Sequence, residues 1–141
     1  MQKGLLMVFT GNGKGKATSA LGLSMRSAGH GMKVCFIQFI KGGWKYGELN
    51  AVDRFKDVID FYVTGRGFTW KSEDLDKDKA LGREAWEFAQ SAMASGEYHL
   101  VVRDEFTYIL NYGGLDKQTV LQALKNKPSA FEYSYYRPGR L

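Results

Sequence analysis

Two kinds of hydrophobic spacing alternate along this chain. Mainly apolar runs of strand length lie at residues 5–10 (LLMVFT), 34–40 (VCFIQFI), 58–63 and 98–103. Runs of this kind suit strands covered on both faces. Between them the spacing is helical. Residues 17–28 follow a glycine loop and stop at Gly29-His30-Gly31. From Ser72 to about residue 95, Leu81, Ala85, Phe88, Ala89, Ala92 and Met93 fall on one stripe and predict a long helix. Ser72, Glu73 and Asp74 suit its start and Gly96 its end. Shorter helices are predicted over 107–112 and 116–125, and loops over 41–47 and 64–70. Strands alternating with helices predict an α/β fold with a mainly parallel sheet.

Composition narrows the class without naming it. The 141 residues are 44% hydrophobic, enough for one domain with a core. No apolar run approaches the roughly 20 residues that span a bilayer. The opening MQKGLLMVFT is too short for a signal peptide, so a cytoplasmic protein is expected. The single Cys35 excludes an intrachain disulfide and reads as a buried structural thiol. A net charge of +5 suits an anionic ligand. Both signs interleave in KSEDLDKDK (71–79), so the surplus reads as solubility and nucleic acid is not expected as a partner.

The chemistry concentrates in Thr10-Gly11-Asn12-Gly13-Lys14-Gly15-Lys16, between a predicted strand and a predicted helix. Glycines there let successive N–H groups turn inward around phosphate oxygens, and the helix start and the lysines add positive charge. This is the logic of a P-loop, with Thr10 at the first glycine position of the usual pattern. The next position should carry a hydroxyl for magnesium, but here it is Ala17. Thr18 is a poor substitute, because neighbouring helix residues point about 100° apart. A weakened metal site is predicted. Asp104-Glu105 ends the run YHLVV, where P-loop proteins place a magnesium-holding carboxylate, and Arg103 interrupts that apolar run. His30 reads as a helix-end residue, and no metal cluster gathers around His30 or His99. Tyr108 and Tyr112 read as core.

GNGKGK with Ala17-Thr18 resembles the loop GNGKGKTT of the P-loop class of ATP:corrinoid adenosyltransferases. Further segments are similar to that family in order: Arg26 to Gly31, Val34 to Gly42, Gly47-Glu48, Gly67-Phe68-Thr69-Trp70, Asp104 to Tyr108, and Leu121 to Pro128. The resemblance implies a P-loop NTPase-like three-layer fold. It also implies attack of a Co(I) corrinoid on the 5′ carbon of ATP, with triphosphate leaving. Gly11, Asn12, Gly13, Lys14, Gly15, Lys16, Ala17 and Thr18 would line the triphosphate, and Arg26 would contact the nucleotide. Glu105 with Asp104 would hold Mg²⁺ or Mn²⁺. Phe68 and Trp70 would fill the corrinoid's lower face, with Lys16 as the third catalytic residue. A flavoprotein reductant and a homodimer are implied as partners.

The last segment departs from the family. After Pro128 an apolar strand and a T-G-R turn are expected, but the chain reads SAFEYSYYRPGRL. Back-translated with suitable codons and shifted by one base, this reads AHLNIVITGRDA, the expected strand and turn. Residues 1–128 are therefore read as the P-loop domain and 129–141 as a frameshifted tail. The sheet is expected to be truncated at its C-terminal strands, with impaired stability and activity. Two alternatives stay open: another P-loop phosphotransferase such as a small kinase, and a non-catalytic nucleotide- or nucleic-acid-binding remnant.

Overall fold

The computed structural model describes residues 4–39, 47–64 and 75–127 and the backbone of a strand at 131–135. Five strands form one sheet: β1 (Leu6–Phe9), β2 (Val34–Gln38), β3 (Ile59–Val63), β4 (Leu100–Asp104) and β5 (Phe131–Tyr135). Their order is β1-β5-β4-β2-β3, and every pairing is parallel. Parallel neighbours need crossovers, which helices supply: α1 (Lys16–Gly29), α2 (Gly47–Val52), α3 (Leu75–Ala94), α4 (Thr107–Asn111) and α5 (Lys117–Lys125).

Side-chain alternation sorts the core into two layers. Val34, Phe36, Leu100 and Val102 point to the α1 side, where they meet Ala20 and Ala28. Cys35, Ile37 and Val101 point to the other side, against Ala85, Trp86, Ala89, Met93 and Val120. All of β2 and β4 is buried: their apolar residues as predicted, and with them Gln38, Arg103 and Asp104. The three-layer α/β expectation is met.

Most predicted elements recur with shifted ends. The long helix begins, in the described residues, at Leu75, and Ala85, Ala89, Ala92 and Met93 of its stripe are buried. Phe88 is not in the core. It lies on the exposed side and packs edge-on against Tyr62, with ring centroids 4.4 Å apart. Helix α2 and the 3-10 turn Asp53–Phe55 that follows it were not legible in GELNAVDRF, which has no clean helical stripe.

The C-terminal segment differs from expectation. The sequence alone predicts a sheet lacking a strand here, yet β5 sits between β1 and β4. It pairs Leu6 with Glu132 on one side and Leu100 with Phe131 on the other. The physical reason is that ladder hydrogen bonds use the backbone, which any extended segment supplies. FEYSY also alternates aromatic and polar residues, a composition with good strand propensity.

Candidate functional site

Register places the ends of all five strands in one row. Phe9 pairs with Tyr135, and Arg103 with Ser134, so Asp104 comes level with Tyr135. Asp104 in turn pairs with Gln38, and Gln38 with Val63. The residues just past this row are Thr10, Glu105, Phe39 and Thr64. The glycine loop and the acid pair thus leave the sheet at the same edge. They are separated by two strand spacings, about 10 Å. In parallel α/β sheets this carboxyl edge is where ligands bind.

The loop has the predicted build. Gly11 at φ 129° and Gly15 at φ 103° hold backbone conformations that side chains resist. Gly15 is the N-cap of α1, so the first N–H groups of the helix open onto the loop. Ser19 closes the first turn, its hydroxyl donating to the Gly15 carbonyl at 2.8 Å. Asn12, Gly13 and Lys14 are exposed. Lys16 folds back, its ammonium donating to the Gly13 carbonyl. Ala17 and Thr18 stand in the first turn of α1, Ala17 half-buried and Thr18 exposed. Ala17 offers no side-chain oxygen.

Asp104 is fully buried at the end of β4. It shares the parity of Leu100 and Val102, and so faces the α1 side. Arg103 faces the other way. Its guanidinium lies over the rings of Trp86 and Phe106, 5.7 and 5.3 Å from the centroids. The interruption of the apolar run is therefore a cation packed on aromatic faces. Glu105 takes φ 60°, the sole non-glycine residue at positive φ among the described residues. This turn sends the chain from β4 toward α4 and carries backbone strain next to the row.

These residues fit a hard dication held mainly by phosphate. Such ions bind through one or two carboxylates plus substrate oxygens, without an all-protein cage. No group of three acidic, His or Cys ligands gathers among the described residues. The structure does not bring Arg26 to the loop. It lies exposed in the last turn of α1, ten residues beyond Lys16, roughly 15 Å along the helix axis. Phe68 and Trp70 lie outside the described residues.

The remaining candidates are structural. Cys35 is buried, and burial first, then the nearby Asp60, pushes its thiol up to about 12. His30 caps the C-terminus of α1. His99 joins β2 to β4, its Nδ1 accepting from the Lys33 N–H at 3.1 Å. Tyr108 and Tyr112 are half-buried and stack on each other at 6.3 Å. A cleft of about 90 Å³ between α1 and β3, lined by residues such as Leu21, Met25, Phe36 and Phe55, is apolar and offers nothing to a phosphate.

Gln38 is hidden in the sequence by its apolar neighbours in VCFIQFI, and the one signal it gives is an amide at the end of a buried strand. Gln38 is fully buried, and its Nε2 donates to Asp104 Oδ2 at 3.3 Å.

Residues 2–133 match the family model for ATP:corrinoid adenosyltransferase BtuR/CobO/CobP. The chain is 42% identical over 127 residues to a corrinoid adenosyltransferase of Escherichia coli K12, covering 90% of this chain and 64% of the relative. It is 41% identical over 128 residues to one of Pseudomonas aeruginosa, covering 91% of this chain and 63% of that protein. It is 39% identical over 127 residues to corrinoid adenosyltransferase CobA of Salmonella typhimurium, covering 90% and 64%. The chain thus spans somewhat less than two thirds of the length of these curated relatives.

Proposed function

Because this chain belongs to the ATP:corrinoid adenosyltransferase family, we propose that it transfers the 5′-deoxyadenosyl group of ATP to the Co(I) of a corrinoid, releasing triphosphate. The observation that carries the reading is the glycine loop and the Asp104-Glu105 pair leaving one edge of the sheet, two strands apart. A small kinase or a non-catalytic remnant draws no support from the matched family.

The chain's residues would act mainly on the leaving group. Cobalt supplies an electron pair to C5′, the C5′–O bond breaks, and triphosphate departs with the bonding pair. Nothing in that step needs a general base. It needs triphosphate charge neutralised, which loop N–H groups, Lys14 and Lys16 are built to do. Lys16 would exchange its Gly13 carbonyl for a phosphate oxygen. A magnesium or manganese ion, held by Asp104 and Glu105, would add positive charge on the same oxygens. Ala17 withholds one protein ligand from that ion, so a high divalent-ion requirement is expected. Phe68 and Trp70 would exclude water from the corrinoid's lower face. Loss of an axial ligand there eases reduction of Co(II), since axial ligation tunes a metal's potential. A flavoprotein reductant and a homodimer belong to the same proposal.

The test is anaerobic: protein, ATP, magnesium and chemically reduced Co(I)alamin, followed by the absorbance change as the cobalt–carbon bond forms. Product is expected from the wild type and is expected to vanish in Lys16→Ala. Folded wild-type protein that binds ATP and yields no product would overturn the proposal.

A further inference from the structure

We infer that Gln38 is a positioning residue that sets the Asp104 carboxylate for the divalent ion accompanying ATP; the inference rests on the reading of this edge as the nucleotide site. Three observations meet at this side chain. First, Gln38 and Asp104 are direct partners in the β2–β4 ladder, at the last position of both strands. Both share the parity that faces α1, the helix opened by the glycine loop. The two side chains therefore stand side by side on the face where phosphate would lie.

Second, the hydrogen bond between them has a fixed sense. A carboxylate only accepts, so the amide must present Nε2–H to Asp104 Oδ2, at 3.3 Å. That orientation leaves Gln38 Oε1 pointing elsewhere, and this atom is buried with no hydrogen-bond partner among the described residues. Buried amide oxygens are rarely left so. An acceptor beside a carboxylate suits a water or ammonium that arrives with the ion and the nucleotide.

Third, the Gln38 backbone is held from both sides. Its carbonyl accepts from the Thr64 N–H at 2.8 Å and from the Thr64 hydroxyl at 3.1 Å. The next residue, Phe39, donates its N–H to the Asp104 carbonyl at 3.0 Å. The side chain therefore projects from a backbone fixed to β3 and to β4, which is what an orienting group requires. Apolar packing alone would not need an amide here.

Partners that orient a metal's ligands typically change metal affinity about 10- to 100-fold when removed. The experiment uses the full chain and reads Mn²⁺ uptake by electron paramagnetic resonance in the presence of ATP, with metal-free ATP affinity measured separately. Gln38→Met keeps the volume and removes the amide. It is expected to raise the Mn²⁺ midpoint about tenfold or more, leaving metal-free ATP affinity within about twofold. Should Gln38→Met fold poorly, Gln38→Leu, which also removes the amide without adding charge, carries the same prediction. Asp104→Asn combined with Gln38→Met is expected to shift the midpoint no further than Asp104→Asn alone. An unchanged midpoint, additive shifts, or a wild type that takes up no Mn²⁺ with ATP would overturn the inference. Normal Mn²⁺ behaviour without adenosyl product would instead count against the proposed activity and leave Gln38 in its role.

Discussion

Raising the pH from about 8 to about 10.5 is expected to remove about 2 kcal/mol of folding stability through Cys35 alone. The thiol is buried in the middle of the sheet, opposite Asp60 in the β2–β3 ladder, and its pKa rises from 9.0 to about 12. Burial is the main cause, the Asp60 carboxylate adds to it, and Lys33 partly offsets it. The sign follows from where the proton is lost first. In the unfolded chain the thiol ionises near its ordinary value, while the folded chain keeps the proton. Stability from this group is therefore full below about pH 9 and falls as pH rises, levelling above about pH 12 at a total loss of about 4 kcal/mol. Cys35→Ala cannot ionise and should lack this loss. Tyr98 also has its ionisation pushed up, chiefly by burial and by its 2.7 Å bond to Asp60, which both proteins share; only the smaller electrostatic contribution from Cys35 differs between them. Urea unfolding under reducing conditions across this pH range measures the difference. The advantage of wild type over Cys35→Ala should shrink by about 2 kcal/mol at about pH 10.5. Parallel curves for the two proteins would refute the reasoning.

Three further outcomes are expected. Ala17→Thr supplies the missing hydroxyl in the first turn of α1 and should lower the magnesium concentration for half-maximal adenosylation about tenfold; an unchanged requirement would show that the position does not face the ion. Glu105→Gly should release about 1 kcal/mol of backbone strain at φ 60° and raise the melting temperature while abolishing activity; a lower melting temperature would mean that the side chain's contacts outweigh the strain. Asp116→Ala removes the N-cap of α5, whose carboxylate accepts from the Thr119 N–H and hydroxyl at 2.9 Å each, and should lower the melting temperature. Those bonds hold the Asp116 pKa down, so the effect should be present at neutral pH and fade as pH falls through the acid range; a difference that persists in strong acid would contradict this cause.

The strand–loop–helix unit at residues 5–28 was legible because apolar run, glycine spacing and helix stop all agree there. The acid pair at the end of β4 was legible because it closes a mainly apolar run. Gln38 was not, because its significance depends on the ladder partner 66 residues away. Nor was the burial of Arg103, since the aromatic faces that receive it come from α3 and from the turn after β4. The strain at Glu105 is a property of the turn between β4 and α4, with no mark in residue type. At Arg26, similarity of motif suggests a nucleotide contact, and helix length sets the residue well away from the glycine loop itself. For β5 the hydrophobic pattern was too weak to predict a strand, because pairing on both edges supplies what the side chains do not announce.

The placement of β5 also orders the assembly of the site in time. Strand β1 and its loop come earliest among the described residues, Asp104 and Glu105 later, and β5 last, yet within the sheet β1 reaches β4 only through β5. On a chain emerging from the ribosome, the loop and the acid pair would thus exist before the ladder that sets the distance between them. Inserting a central strand last, with both edges to be matched at once, is a slow kind of pairing. Until it happens, β1 and β4 present two open parallel edges to other nascent chains.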